Sequence, residues 1–219
     1  MSPDTPENRH PENSRIDKTF ERHGFTVSRE TLEKLEIYEQ LLLKWQKAIN
    51  LVGPATLDDV AERHFFDSAQ LLRYVKDIDV RLADLGSGAG FPGMVLAMLG
   101  VRDVHLVEAD IRKATFLREV SRETGTPVTI HDVRVEDEDI PDIDVITARA
   151  LAPLTDLLVM VERLATPGHP VYCIFPKGIQ YQEEIDKAKK RWDFEAEIFA
   201  SEADLSGKIL RIGPVTKKA

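Results

Sequence analysis

The run Asp84-Leu85-Gly86-Ser87-Gly88-Ala89-Gly90-Phe91-Pro92-Gly93, entered from the apolar stretch Val80 to Ala83, has the make-up of a strand that turns into a nucleotide-binding loop. Glycine there allows backbone angles closed to other residues and lets a ligand rest on main chain that carries no Cβ. The spacing departs from the dinucleotide fingerprint G-x-G-x-x-G: Gly86 and Gly88 fit, but Phe91 stands at the third glycine. A ring at that place crowds the helix-to-strand approach of a pyrophosphate binder and suits a smaller ligand whose flat base leans on it. Asp84 at the strand end and Glu108, 22 residues after Gly86, are then the hydroxyl acceptors, since a carboxylate offers paired lone pairs to a vicinal diol. Asp110 fits better as the cap of the next helix.

Ligands of an open α/β sheet lie outside the carboxyl ends of its strands, so the other strand ends are the places to look. The third closes near Val135-Glu136, where an amide and a carboxylate can hold the edge of a base. The fourth closes at Thr147-Ala148-Arg149-Ala150 and brings a cation to the same cleft. Lys177 follows the fifth directly and is placed for a phosphate. Arg63 and His64 sit on a helix ahead of the loop that can overhang the cleft. Without a cleft, Arg63 and Asp67 make an i,i+4 surface pair and His64 packs in an apolar stripe. Arg112, Lys113 and Arg118 extend a basic track or form a solvated face.

Two helical patterns precede these strands. From an N-cap at Ser28, apolar residues recur at Leu32, Leu35, Tyr38, Leu42, Trp45 and Ile49; a second helix is expected from Thr56, with Asp59 at the capping-box position. Short β-branched runs then alternate with helices: 81–85, 104–107, 128–130, 144–147 and 171–175, with a helix opening at Pro153 and another over 179–192. The runs 195–199 and 208–212, joined by a polar turn with Gly207, read as a hairpin. The expectation is an α/β, Rossmann-like fold: a mostly parallel, doubly wound, seven-stranded sheet with a C-terminal antiparallel hairpin and an N-terminal helical extension. Residues 1–15 read as a disordered tail, 16–78 as the extension and 79–219 as the core.

Composition narrows the function classes. A net charge of −9 argues against non-specific nucleic-acid binding unless the basic clusters at Arg112-Lys113, Lys187 to Arg191 and Lys217-Lys218 act locally. The single cysteine, Cys173, lies in an apolar run, which leaves no internal disulfide or cysteine metal cluster and fits a reducing, cytoplasmic setting. Residues 1–14 lack the apolar core of a signal, and the longest apolar run, Met94 to Leu99, falls far short of the roughly 20 residues that span a bilayer. No metal site is expected.

Arg63-His64 with Asp67-Ser68, the glycine loop ending in Pro92-Gly93, Lys113 with Phe116-Leu117-Arg118, Arg134-Val135-Glu136, Arg149-Ala150 and Lys177-Gly178, in this order, resemble the RsmG (GidB) family of ribosomal RNA methyltransferases. The resemblance runs from about Leu32 to Ile212 and implies a class I methyltransferase core, S-adenosylmethionine as cofactor, and N7 of a guanine in bacterial 16S ribosomal RNA or a small-subunit particle as acceptor. It places cofactor contacts at Gly86, Phe91, Val135-Glu136 and Arg149; Asp84, Gly88, Gly90 and Glu108 complete that set, and Arg63, His64, Lys113 and Lys177 form the substrate set. Glu108 and Phe91 stand where many members have Asp and Leu, with chemical type kept. A monomer is expected.

Guanine N7 is unprotonated at neutral pH, so it attacks a sulfonium methyl without a general base, and no catalytic side chain is assigned. Alignment alone is worth up to roughly 7–11 kcal/mol of barrier. Pyrimidine C5 chemistry asks for a reactive cysteine, and amine methylation for an Asn/Asp-Pro-Pro-aromatic motif where this chain has Ala150-Leu151-Ala152-Pro153. A nicotinamide oxidoreductase shares the loop and downstream acid but has no evident hydride-transfer pair here. A non-catalytic RNA binder leaves the cofactor residues unexplained.

Overall fold

The computed structural model describes residues 14–218. The tail expected over 1–15 lies almost wholly outside the described residues, and its last two members begin a helix that the sequence reading did not separate. In α1 (Arg15–Arg22) the Ser14 hydroxyl caps the Asp17 amide at 3.1 Å, and Ile16, Thr19 and Phe20 are buried. The helix expected from Ser28 is α2 (Arg29–Gln46), capped through Thr31 N at 3.1 Å and burying Leu32, Leu35, Tyr38 and Leu42.

The helix expected from Thr56 is different in kind. Pro54–Asp59 is a 3₁₀ turn, Ala61–Phe66 a π-helix, α3 (Asp67–Ala69) a single short turn, and Gln70–Tyr74 again 3₁₀. Thr56 caps nothing; its hydroxyl donates to Gly53 O at 2.7 Å. The wider π winding lets His64, Phe65 and Phe66 all be buried in succession, whereas a regular helix turns about 100° per residue and would send one of three outward. His23, at the end of α1, stacks on Phe66 at 3.8 Å, and Phe65 meets the Tyr38 ring edge-on at 5.2 Å.

The sheet comprises β1 (Arg81–Leu85), β2 (Asp103–Val107), β3 (Thr129–His131), β4 (Val145–Thr147), β5 (Tyr172–Lys177), β7 (Ala196–Ala200) and β8 (Lys208–Ile212) in the order β3-β2-β1-β4-β5-β8-β7. β8 runs antiparallel to both neighbours and the rest are parallel, as expected for the hairpin ending. Two short strands, β6 (Trp192–Asp193) and β9 (Thr216–Lys217), make a separate antiparallel pair that was not foreseen. Trp192 read as the end of a helix; α7 (Tyr181–Ala188) stops earlier, and the indole enters the core fully buried.

Alternate residues along each strand divide the core. Leu82, Val104, Leu106, Val145 and Ile174 pack with α1, α2, α4 (Gly93–Met98) and α5 (Ile111–Thr124), while Ala83, Leu85, Val107, Ile146 and Cys173 pack with α6 (Leu154–Leu164) and α7. Both faces are covered, so strands are apolar on both sides, as parallel sheets require. The helical extension is part of the first layer. Burial pushes the Cys173 thiol far up, which makes it a core residue and no nucleophile. No helix among the described residues is long and apolar enough to cross a membrane.

Candidate functional site

Strand order reverses between β1 and β4, and the glycine loop leaves β1 at this point. Gly86 and Gly88 hold φ of +62° and +60°, and a Cβ on Gly88 would meet nothing nearer than Gly86 O at 3.8 Å, so one side of the main chain is open to a ligand. Gly90, expected on the ligand side, faces inward instead: an added Cβ would lie 2.5 Å from the Tyr38 hydroxyl, which donates to Ala89 O and pins the loop to α2.

Asp84 also departs from expectation. It is fully buried, with Oδ1 accepting from Thr147 Oγ1 at 2.7 Å and Oδ2 from the Gly93 amide at 3.2 Å. It ties β1 to β4 and to the start of α4 and offers nothing to a ligand. Burial raises its pKa to about 6, against the opposing pull of those hydrogen bonds. A carboxyl with a higher pKa folded than unfolded binds its proton more tightly when folded, so the wild type should lose stability relative to Asp84→Asn as pH rises from about 4 to about 7, on the order of 3 kcal/mol. Chemical denaturation of both across that range is the check; a constant difference would refute it.

Phe91 has no face free for a base. The ring is 4% exposed, lies near-parallel to Tyr38 at 5.2 Å and to His64 at 5.0 Å, and carries the Arg149 guanidinium at 5.1 Å. Its side chain is the floor under the arginine, because an aromatic cluster of Tyr38, Phe65 and Phe91 claims it for the core.

Glu108 closes β2 beside the loop. Oε2 accepts from Gly88 N and Oε1 from Asp110 N, each at 2.8 Å, and each oxygen keeps a lone pair for a diol. Asp110 caps α5 through the Arg112 and Lys113 amides, as expected. Val135 and Glu136 occupy a one-turn 3₁₀ segment after β3, the first buried and the second exposed, and Glu108 N donates to His131 O at 2.9 Å, joining the two strand ends. Glu108 thus flanks the loop on its β2 side.

A cleft of about 720 Å³ opens on the β4–β5–β8 side, lined in part by Gly86, Gly88, His64, Lys113, Arg149 and Lys208. Arg149 is its hub. Nη1 donates to Asp67 Oδ2 and Arg63 O, both at 3.1 Å, and Nη2 to His64 Nδ1 at 2.9 Å. His64 Nε2 lies 2.7 Å from Thr56 Oγ1. Burial, then the Arg149 and Arg63 charges, depress the His64 pKa to about 3, so the ring is neutral. One tautomer satisfies every contact: Nδ1 accepts from Arg149, and Nε2–H donates to Thr56, whose own proton goes to Gly53 O. His64 therefore orients the arginine from behind and is not a free substrate ligand. Burial raises the Asp67 pKa although Arg149 and Gln70 pull it down. The alternative i,i+4 surface pair of Arg63 and Asp67 does not form, because Asp67 turns inward to Arg149; Arg63 reaches Asp204 at 3.5 Å across the cleft.

Lys177 is likewise engaged. Its ammonium, on a side chain 8% exposed, donates to Ala152 O at 3.0 Å and Glu184 Oε2 at 2.8 Å, and the same oxygen accepts from Leu154 N at 2.7 Å. It buttresses the 150–154 turn, which lays Leu151 on Gly86. Lys177→Met should therefore lower stability by roughly 2 kcal/mol in a denaturant melt, whereas a phosphate-only role predicts no loss. Arg63, Lys113 and Lys208 line the cleft and bring positive charge to it. Thr56, Asp67, Asp204 and Lys208 were not assigned to the site from sequence; Thr56 and Asp67 carried local helix signals, Asp204 sits on a loop with no motif, and Lys208 opens β8.

Residues 31–208 match the family model described as GidB, rRNA small subunit methyltransferase G. The chain is 52% identical over 195 residues to ribosomal RNA small subunit methyltransferase G of Rhodospirillum centenum, covering 89% of each, and 50% identical over 189 residues to that of Rhodospirillum rubrum, covering 86% of this chain and 93% of the relative. Among solved structures it resembles magnesium protoporphyrin IX methyltransferase of Synechocystis PCC 6803, at 12% identity and TM-score 0.56 over 86% of this chain and 98% of that one. A TehB-like methyltransferase of Corynebacterium glutamicum matches at 17% identity and TM-score 0.53 over 84% and 100%. Those likenesses share the fold, and the sequence relatives together with the family match mean that the chain belongs to the rRNA small subunit methyltransferase G (GidB) family.

Proposed function

We propose that the chain transfers a methyl group from S-adenosylmethionine to N7 of a guanine in 16S ribosomal RNA, acting as a cytoplasmic monomer. The observation that carries the reading is the glycine cradle at the strand-order reversal, with Glu108 at its β2 side and a cation-lined cleft on the other. The cradle fits the cofactor: Gly88 is bare on its open side, and both Glu108 oxygens retain acceptor capacity. Glu108 would take the ribose hydroxyls, and Val135 and Glu136 the base edge.

The cofactor supplies an electrophilic methyl group on a sulfonium, and the acceptor nitrogen is already unprotonated, so the chain is not asked for a base. What its residues do is position. Arg149, held by Asp67, His64 and the Arg63 carbonyl, presents a fixed cation at the loop. Arg63, Lys113 and Lys208 take up phosphates around it. Rigidity of this kind is what an alignment mechanism needs, since misplacement by about 1 Å can cost about 100-fold.

Small-subunit RNA from cells lacking this protein, naked or as particles, should accept labelled methyl from S-adenosylmethionine, and nuclease digestion should place the label on N7 of guanine. Absence of label in both substrates would overturn the reading, as would stabilisation by NAD in place of S-adenosylmethionine in a thermal-shift assay.

A further inference from the structure

Leu205 is the most exposed large apolar side chain among the described residues, at 98%, on the segment joining β7 to β8. A lone exposed leucine is ordinary on a loose loop, but this loop is not loose. Ser201 N donates to Gly207 O at 3.2 Å, Gly207 N to Asp204 O at 2.9 Å, Asp204 N to Ser201 Oγ at 3.2 Å, and Ser206 N to Asp204 Oδ1 at 3.0 Å. The buried amide of Gln70 then fastens the loop to the segment behind the site, donating to Ser201 Oγ at 3.1 Å and accepting from Glu202 N at 2.9 Å. These bonds hold the loop on either side of the leucine, whose side chain stands in water.

Its place is the rim of the cleft. Asp204, Gly207 and Lys208 line the cavity, with Arg63 facing Asp204 across it, whereas Leu205 stands just outside the lining. Enzymes that act on a base commonly take it out of the stack, and apolar side chains serve as wedges between base steps in nucleic-acid complexes. We propose that Leu205 is such a wedge, entering the RNA stack where the target guanine leaves it, while Lys208 and Arg63 meet the adjoining phosphates. The inference rests on the guanine-methyltransferase reading. Asp204 and Glu202 beside the tip are engaged by Arg63 and Arg73, which leaves the Lys208 charge at the rim and favours RNA over a protein surface as the occupant.

The test compares wild type with Leu205→Ala, Leu205→Met and, as surface control, Ile198→Ala on β7, a residue 43% exposed that does not line the cleft. Methylation of unmodified small-subunit RNA and particles is measured together with cofactor affinity and Tm. Leu205→Ala should lower kcat/KM about 10- to 100-fold with cofactor affinity and Tm unchanged, Leu205→Met should stay near wild type, and Ile198→Ala should do nothing. RNA carrying 2-aminopurine in place of the target guanine should brighten on binding wild type but not Leu205→Ala. Activity of Leu205→Ala within about twofold of wild type, or a defect with the 2-aminopurine signal intact, overturns the wedge. A defect seen with particles alone, where wild type accepts both substrates, overturns it in favour of a ribosomal-protein contact. Wild type that methylates neither substrate overturns the underlying function instead.

Discussion

Arg149→Met is expected to reduce methyl transfer by at least about 100-fold and to destabilise the fold by about 3–5 kcal/mol. The guanidinium satisfies Asp67 Oδ2, Arg63 O and His64 Nδ1 together, and the Asp67 side chain is only 18% exposed. Removing it leaves that carboxylate with the Gln70 amide at 2.9 Å as its remaining side-chain partner, and leaves a neutral imidazole acceptor without a donor. The Asp67 pKa, already raised by burial, should rise further, so the variant's stability deficit should grow as pH climbs from the ordinary carboxylate range, about 4, toward the raised folded pKa. Adding Asp67→Asn removes the stranded charge and should restore most of the stability but none of the activity. Activity returning along with stability in the double variant would show that Arg149 serves the fold alone. Arg149→Lys should resemble the methionine variant, since a single ammonium cannot span acceptors arranged around a planar fork.

The second large effect separates two glycines of one loop. A Cβ on Gly93 would lie 2.5 Å from Leu106 Cδ2 and 2.7 Å from Asp84 Cβ, both fully buried in adjacent strands. Gly93→Val must lift α4 from the sheet and stretch the Gly93 N to Asp84 hydrogen bond, a loss of about 3–5 kcal/mol that should leave little folded protein. A Cβ on Gly86 meets instead Leu151 Cδ1 at 2.5 Å, the far end of a flexible side chain 37% exposed that can take another rotamer. Gly86→Val should therefore fold, at a cost of about 1–2 kcal/mol for its positive φ, yet lose the thermal shift given by S-adenosylmethionine. A normal ligand shift in Gly86→Val would remove the loop from the cofactor site. Wild-type stability in Gly93→Val would mean that the close approach of α4 to the sheet is not maintained in solution.

This contrast also explains the departure from G-x-G-x-x-G. The glycine that lets helix meet strand is Gly93, two positions past Phe91, and the intervening residues carry the ring into the cluster beneath Arg149. From spacing alone Phe91 reads as a platform for a base, because nothing local reports that Tyr38, far earlier in the chain, will lie against it.

Local chemistry was sufficient for much of the architecture. Short apolar, β-branched runs placed β1 and β8 at their observed bounds, Ser28 capped α2 and Asp110 capped α5, because those signals act within one turn or one strand. The π-helix escaped, since its winding exists to bury His64, Phe65 and Phe66 against residues distant in sequence. The site divides in the same way. Residue type and strand-end position brought Gly86, Gly88, Glu108 and Arg149 to one region from sequence. Only packing decided that Asp84 and Lys177 are structural ties, that His64 stands neutral behind Arg149, and that Leu205 is held in water: a buried polar group takes whichever partner the fold brings within about 3 Å, and that choice is non-local.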